Sequence, residues 1–407
     1  MGQLRLFWLG SLALALAASP AAAQKKYDLG ATDTEIKIGN TMPYSGPQSA
    51  YAQIGRAEAA YFKMINDHGG INGRKINFIS YDDAWSPPKT VEQTRRLVEG
   101  DEVLLVFGGA GTQTNNAVQK YMNQKQVPQL FVASGGTKFG DYRTFPWTMG
   151  WLPTYQTEGR IYGKYILDNL PQGKIAILYQ DDDSGRDYLR GMREGLGEEA
   201  AKRMIVAEIS YDLGQTTVDS EVVALKASGA DIFFDEASPK FAAQAIRKVA
   251  EIGWKPTFFL ASISNSVGAV LKPAGLENSK GIISSSYLKD PTDPTWKDDP
   301  AIKQWSAFMD QYFPEGDKTS VFTVFGYASA QTLVQTLQQC GDDLTRANIM
   351  KQAASLNHVE LGVLLPGITI NTGPADHYPI EQMQLSRFNG QYGELFGKPI
   401  SGEPRSE

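Results

Sequence analysis

Leu104-Leu-Val-Phe-Gly-Gly-Ala-Gly-Thr-Gln-Thr-Asn-Asn-Ala-Val118 and, after a polar helix, Pro128-Gln-Leu-Phe-Val-Ala-Ser-Gly-Gly-Thr137 decide how this chain folds. Two apolar runs, residues 104–107 and 130–132, have the length of buried parallel strands, and each empties into a loop of Gly, Ser and Thr. In open α/β sheets ligands bind beyond the carboxyl ends of the strands. Loops of this composition offer hydroxyls and unobstructed backbone N–H groups there, a setting that favours anions and carboxylates in particular.

Working outward, residues 35–40 alternate as a first strand, and residues 54–66 carry Ala57, Ala60, Tyr61, Met64 and Ile65 at helical spacing up to His68-Gly69-Gly70. Residues 75–81 form a second strand and residues 89–100 a second helix, so the quoted stretch supplies the third and fourth strands of a βαβα series. Residues 143–153, irregular and aromatic, interrupt the rhythm and read as a crossing between lobes. The alternation then restarts with helices at 155–170, 187–199, 217–227 and 240–252 and strands at 174–179, 205–211, 231–234 and 257–260. A strand follows Gly281, then a loop at 290–300, two helices at 302–313 and 320–339, and a Gly- and Pro-punctuated tail of β character. The fold class expected is α/β with two doubly wound parallel sheets.

At the amino terminus Arg5, an apolar run over residues 6–18 and Ala21-Ala22-Ala23 read as a secretory signal peptide of residues 1–23, and no Cys at the cleavage point marks a lipid anchor. The apolar run is too short to span a bilayer, so export to the periplasm is expected. Roughly 380 residues remain, above the ~250–300 at which single cores stop growing, which predicts two lobes. Cys340 stands alone and reads as a buried small residue. A net charge of −6 with interspersed signs argues against nucleic acid as a partner. His68, His358 and His377 have no metal-ligand spacing, no Gly-x-Ser-x-Gly elbow or phosphate loop is present, and neither metal, cofactor nor catalysis is expected.

Tyr44-Ser45-Gly46-Pro47, Asp67-His68-Gly69-Gly70-Ile71-Asn72-Gly73, Tyr81-Asp82-Asp83-Ala84 and Val106-Phe107-Gly108 together resemble the branched-chain amino-acid-binding proteins that serve ABC importers. The resemblance covers nearly all of the chain after the leader. It implies two lobes joined by three hinge crossings, a ligand trapped as the lobes close, and a monomer that works with a permease and ATPase complex in the inner membrane. The lobes expected are 27–152 plus 282–365 and 153–281 plus 366–396, with 397–407 a tail. The resemblance assigns the ligand carboxylate to Ala110, Gly111 and Thr112 and to the loop Ser134, Gly135, Gly136 and Thr137. The helix that starts near Thr114 adds a dipole worth ~0.3–1 kcal/mol to an anion.

Several positions depart from the family. Ile263 replaces the acidic residue that accepts the ligand ammonium, and Ser238 replaces a Tyr, so the ligand expected is a carboxylate, an aromatic acid, without an α-amino group. Asp235 or Glu236 would rescue an ammonium if the register were different. Trp85 and Gly111 occupy both ends of a frequent family disulfide. Tyr51, Trp85, Trp151 and Phe325 or Tyr327 are candidates for an aromatic wall, and Ser184, smaller than the family Tyr, leaves room for a ring whose hydroxyl Asp182 would accept. Asp182 and its neighbours read equally as a helix start. The alternatives kept are an amino-acid-binding protein of the same importer class and a ligand sensor for a membrane signalling partner.

Overall fold

The computed structural model describes residues 25–402, so the expected leader lies outside the described residues. The strands are β1 (Lys26–Tyr27), β2 (Glu35–Met42), β3 (Lys75–Asp82), β4 (Leu105–Phe107), β5 (Gln129–Val132), β6 (Thr148–Gly150) and β7 (Ile175–Gln180). They continue as β8 (Ile205–Tyr211), β9 (Ile232–Glu236), β10 (Thr257–Leu260), β11 (Ile283–Ser286), β12 (Asp343–Leu344), β13 (Gln382–Phe388) and β14 (Gly393–Ser401). Two sheets carry the molecule, ordered β3-β2-β4-β5-β6 and β14-β13-β11-β10-β9-β7-β8. The first is parallel throughout. In the second, β8 to β11 with β7 run parallel and β13 and β14 are added antiparallel.

Both strand orders reverse direction once, between β2 and β4 and between β7 and β9. At such switch points successive connections leave to opposite faces of the sheet and open a crevice at the strand ends. Residues 104–107 are almost completely buried because helices cover both faces of a parallel sheet, which is why the run is apolar without alternation.

Three crossings join the lobes. The first follows β6 and enters the helix Tyr155–Asn169. The second and third run side by side, with Lys289 N–H on the Val363 carbonyl at 2.9 Å and Leu365 N–H on the Tyr287 carbonyl at 2.9 Å. Three sequence readings need correction. The strand after Gly281, assigned to lobe 1 from residue 282, pairs with β10 and β13 in the seven-stranded sheet, so the chain leaves that sheet only after Ser286. Residues 397–401, read as tail, complete β14 against β13. Within the stretch 143–153, Thr148–Gly150 is the edge strand β6.

Helix packing explains other choices. The helices Tyr155–Asn169 and Asp183–Leu196 touch through glycines: a Cβ on Gly159 would lie 2.6 Å from the Tyr188 carbonyl oxygen, and one on Gly163 2.6 Å from that of Met192. Cys340, the last residue of the helix Val321–Cys340, is buried with its thiol against the Thr336 carbonyl at 3.3 Å, and burial pushes that thiol up to about 12. Among the described residues no helix is long and apolar enough to cross a membrane, and no group of His, Cys, Asp or Glu is arranged to hold a metal ion.

Candidate functional site

The carboxyl ends of the two sheets face one another across a cleft enclosing ≈ 850 Å³ of empty space, its mouth included. None of the lining side chains carries a formal charge.

The first lobe contributes the loop after β4. Gly111 has φ +96°, a conformation L side chains rarely adopt, and a Cβ there would lie 2.7 Å from the Trp85 indole. The two positions that the resemblance pairs by a disulfide are thus in contact, and a ring over a glycine fills the place of the bridge. Trp85, itself at φ +60°, is held by its N–H on Asp83 Oδ1 at 2.9 Å and stacks on Tyr51 with ring centroids 5.4 Å apart. Its indole nitrogen is buried without a partner. The helix Thr112–Lys125 starts here with no side-chain cap, so the N–H groups of its first turn remain available as donors. The Thr112 hydroxyl pairs with the Ser134 hydroxyl at 2.7 Å.

The second lobe contributes Gln180 at the end of β7, Ser184 after it, Ser238 after β9, and Ser262, Ile263 and Asn265 after β10. Behind them lies Glu158, 1% exposed, on the helix Tyr155–Asn169. Five donors converge on its carboxylate at 2.7–2.9 Å: the Tyr162 and Tyr188 phenols, the Ser262 N–H, and the Ser262 and Ser285 hydroxyls. This explains how a charge-bearing side chain sits in a core, since every lone pair is met. The hinge strands close the back of the cleft with Tyr287 and Leu288, and Phe322 and Phe325 cover its floor.

Of the residues expected from sequence, Tyr51, Trp85, Ala110, Gly111, Thr112 and Phe325 line the cleft from the first lobe, and Ser184, Ser238 and Ile263 from the second. The others stand behind it. Ser134 supports Thr112 and accepts the Gly136 N–H at 3.2 Å. Gly135 carries the Tyr155 ring, whose carbons would lie 2.6 Å from a Cβ there, and Gly136 carries Phe139 at 3.0 Å. Thr137 does not face the cleft: its N–H is taken by Asp187 Oδ2 at 2.8 Å and its hydroxyl by Gln156 at 3.4 Å, so a protein carboxylate occupies the donor assigned to the ligand. Trp151 is completely buried, its indole N–H on Thr332 at 2.9 Å and its ring edge against Phe325. Asp182 is the N-cap of the helix Asp183–Leu196, accepting the Ser184 and Gly185 N–H groups.

Neither acid proposed as a substitute for the missing ammonium partner lines the cleft. Asp235 accepts the Ala237 N–H at 3.0 Å, its second oxygen has no partner, and burial pushes it up to about 7. Glu236 accepts the Gln180 N–H at 2.8 Å, and burial with the nearby Asp182 charge holds it well above the usual carboxylate range.

Sequence reading missed Tyr155, Gln180, Ser262, Asn265, Tyr287 and Phe322. Ser262 and Asn265 were legible as a hydroxyl- and amide-rich run directly after β10, the same signal that marked the loop after β4. Tyr155 carried no such signal. Burial pushes its phenol up to about 12, while the Ser134 hydroxyl and Gly135 N–H beside it act in the opposite direction.

A two-lobed molecule with this cleft has relatives among known proteins. Leu/Ile/Val-binding protein homolog 2 of Brucella abortus is 26% identical over 79% of this chain and 84% of that protein. A branched-chain amino acid ABC transporter protein from Thermus thermophilus, solved with bound valine, superposes with a TM-score of 0.80 at 16% identity over 90% of this chain and 97% of its own. A solute-binding protein of an ABC transporter from R. palustris, solved in complex with benzoate, superposes with a TM-score of 0.76 at 19% identity over 91% and 98%. Residues 35–393, nearly the whole of both lobes, match the periplasmic binding protein family, and the chain belongs to that family.

Proposed function

We propose that this protein is the periplasmic solute-binding component of an ABC importer, not an enzyme, and that it captures a small carboxylate, an aromatic acid rather than an amino acid, by closure of its lobes. The observation that carries the reading is the chemistry of the cleft wall. Uncapped helix N–H groups at Thr112 supply donors for an anion, while no charged side chain lines the cavity to receive an ammonium. With Ile263 in the cleft and Asp235 and Glu236 facing other partners, an enclosed ammonium would lose several kcal/mol of hydration without a counter-charge. Tyr51, Trp85, Phe322 and Phe325 give the apolar surface a ring needs. The benzoate complex of the R. palustris protein supports the same ligand class.

The second reading, a branched-chain amino-acid carrier, is favoured by the bound valine of the Thermus thermophilus protein and by the names of the Brucella relatives. A thermal-shift comparison separates the two. Benzoate or phenylacetate is expected to raise the melting temperature and leucine is not; stabilisation by leucine alone would overturn the aromatic-acid reading.

A further inference from the structure

Three hydroxyls on the second-lobe wall, those of Ser184, Ser262 and Ser285, are not free to point their protons either way, whereas Ser238 Oγ accepts from Gln48 Nε2 at 3.0 Å and keeps its own proton to give. A serine hydroxyl has one proton. That of Ser184 is donated to Asp182 Oδ1, that of Ser262 to Glu158 Oε2 at 2.8 Å and that of Ser285 to Glu158 Oε1 at 2.9 Å. Carboxylates accept and do not return a proton, so each of these hydroxyls is fixed as an acceptor on its remaining side. Asn265 follows the same rule. It directs its NH2 at the Ser285 carbonyl, 2.9 Å, and at Ser286 Oγ, 3.4 Å, which leaves its carbonyl oxygen to accept. Gln180 directs one proton of its NH2 at Asp182 Oδ2, 2.6 Å, and its carbonyl accepts the Tyr211 phenol at 3.0 Å, so what it has left is a second N–H, a donor.

The opposite end of the cleft has the reverse polarity, with the uncapped N–H groups of the helix Thr112–Lys125 as unspent donors. We infer that the ligand is bipolar in hydrogen bonding: a carboxylate at the first-lobe end and, at the second-lobe end, a neutral donor such as a ring hydroxyl or ring amine, received by Ser184, Ser262 and Asn265. This rests on the aromatic-acid reading and specifies its substrate class. An acceptor-only substituent of similar size, such as a methoxy group, meets lone pair with lone pair where it sits against Ser184, Ser262 and Asn265, and is disfavoured there. Sites built to pair a polar group discriminate strongly against analogues that leave it unmatched.

Calorimetric titration of the protein with benzoate and its monohydroxy, monoamino and monomethoxy isomers tests the inference. At least one hydroxy isomer, and the amino isomer substituted at the same ring position, is expected to bind about ten-fold or more tightly than benzoate, and the matching methoxy isomer no tighter than benzoate. In Ser262→Ala the ratio of hydroxy-isomer to benzoate affinity should shrink by about five-fold or more. Benzoate binding with no gain from any hydroxyl, or with an equal gain from methoxy, overturns the acceptor wall and leaves the aromatic-acid reading standing. Leucine binding with no response to any aromatic acid overturns both.

Discussion

Thr112 stands where a chain of small hydroxyls meets a bare helix end, and its substitution separates binding from folding. Thr112→Val keeps the shape but removes one donor and the bond to Ser134, so affinity for an aromatic acid should fall by about 1–3 kcal/mol in calorimetric titration, with thermal stability changing little. Asp235 gives a test by pH. The folded protein holds its proton up to about 7 while the unfolded chain releases it in the ordinary carboxylate range, so between those limits the folded state binds more protons and its stability falls as pH rises. Asp235→Asn removes that loss. In urea unfolding the variant should exceed the parent at about pH 8, with the difference closing by about 1.4 kcal/mol per unit as pH drops below 7. The sequence marked the loop of Gly111 and Thr112 because side-chain bulk vanishes at the strand end, and Trp85 through the resemblance, which sets it beside that loop; all three line the cleft. It did not show that Thr137 would surrender its N–H to Asp187, since that bond joins residues of different lobes, fifty positions apart. Ser184 and Asp182 were legible as alternatives, and the cap geometry assigns them different duties: Asp182 orients, and Ser184 faces the cleft.

At the scale of elements, the alternation of apolar runs and amphipathic helices made nearly every parallel strand readable. β13 and β14 were harder, because antiparallel strands added at a sheet edge obey pairing rules that only the folded sheet supplies, and β11 was misassigned for the same reason. The helix pair Tyr155–Asn169 and Asp183–Leu196 is a stronger constraint than its sequence suggests. Gly159 and Gly163 let backbone lie on backbone, and the first of these helices bears Glu158 and so the whole group of hydroxyls at the cleft wall. Gly163→Leu should therefore cost about 1–3 kcal/mol in denaturant unfolding through overpacking, and should also weaken ligand binding by displacing Glu158. Unchanged affinity in a folded variant would show that the wall tolerates movement of its support.

For the whole molecule, the decisive property is how the lobes meet. They touch through Gln48 Nε2 on Ser238 Oγ at 3.0 Å, Asn116 on Asp183 at 2.8 Å, the Thr137 N–H on Asp187 at 2.8 Å and the Gly268 N–H on the Thr319 carbonyl at 3.0 Å. Parting the lobes would break these bonds, so they favour the arrangement in which the cleft is enclosed and, through it, affinity. Gln48→Ala breaks a buried pair and is expected to weaken binding by about 1 kcal/mol, with a larger radius of gyration in small-angle scattering of the unliganded protein. Asp183→Ala removes contacts to Asn116 and Lys138 that lie in partly exposed surroundings, and its effect should be below about 1 kcal/mol and fade with salt. Cys340 adds a practical consequence. A single thiol, buried and raised to about 12, is almost entirely protonated and shielded at neutral pH, hence inert toward maleimides. Dye-bearing cysteines engineered on the rims of the two lobes can thus be labelled without background, which makes the native chain a ready scaffold for an optical reporter of ligand binding.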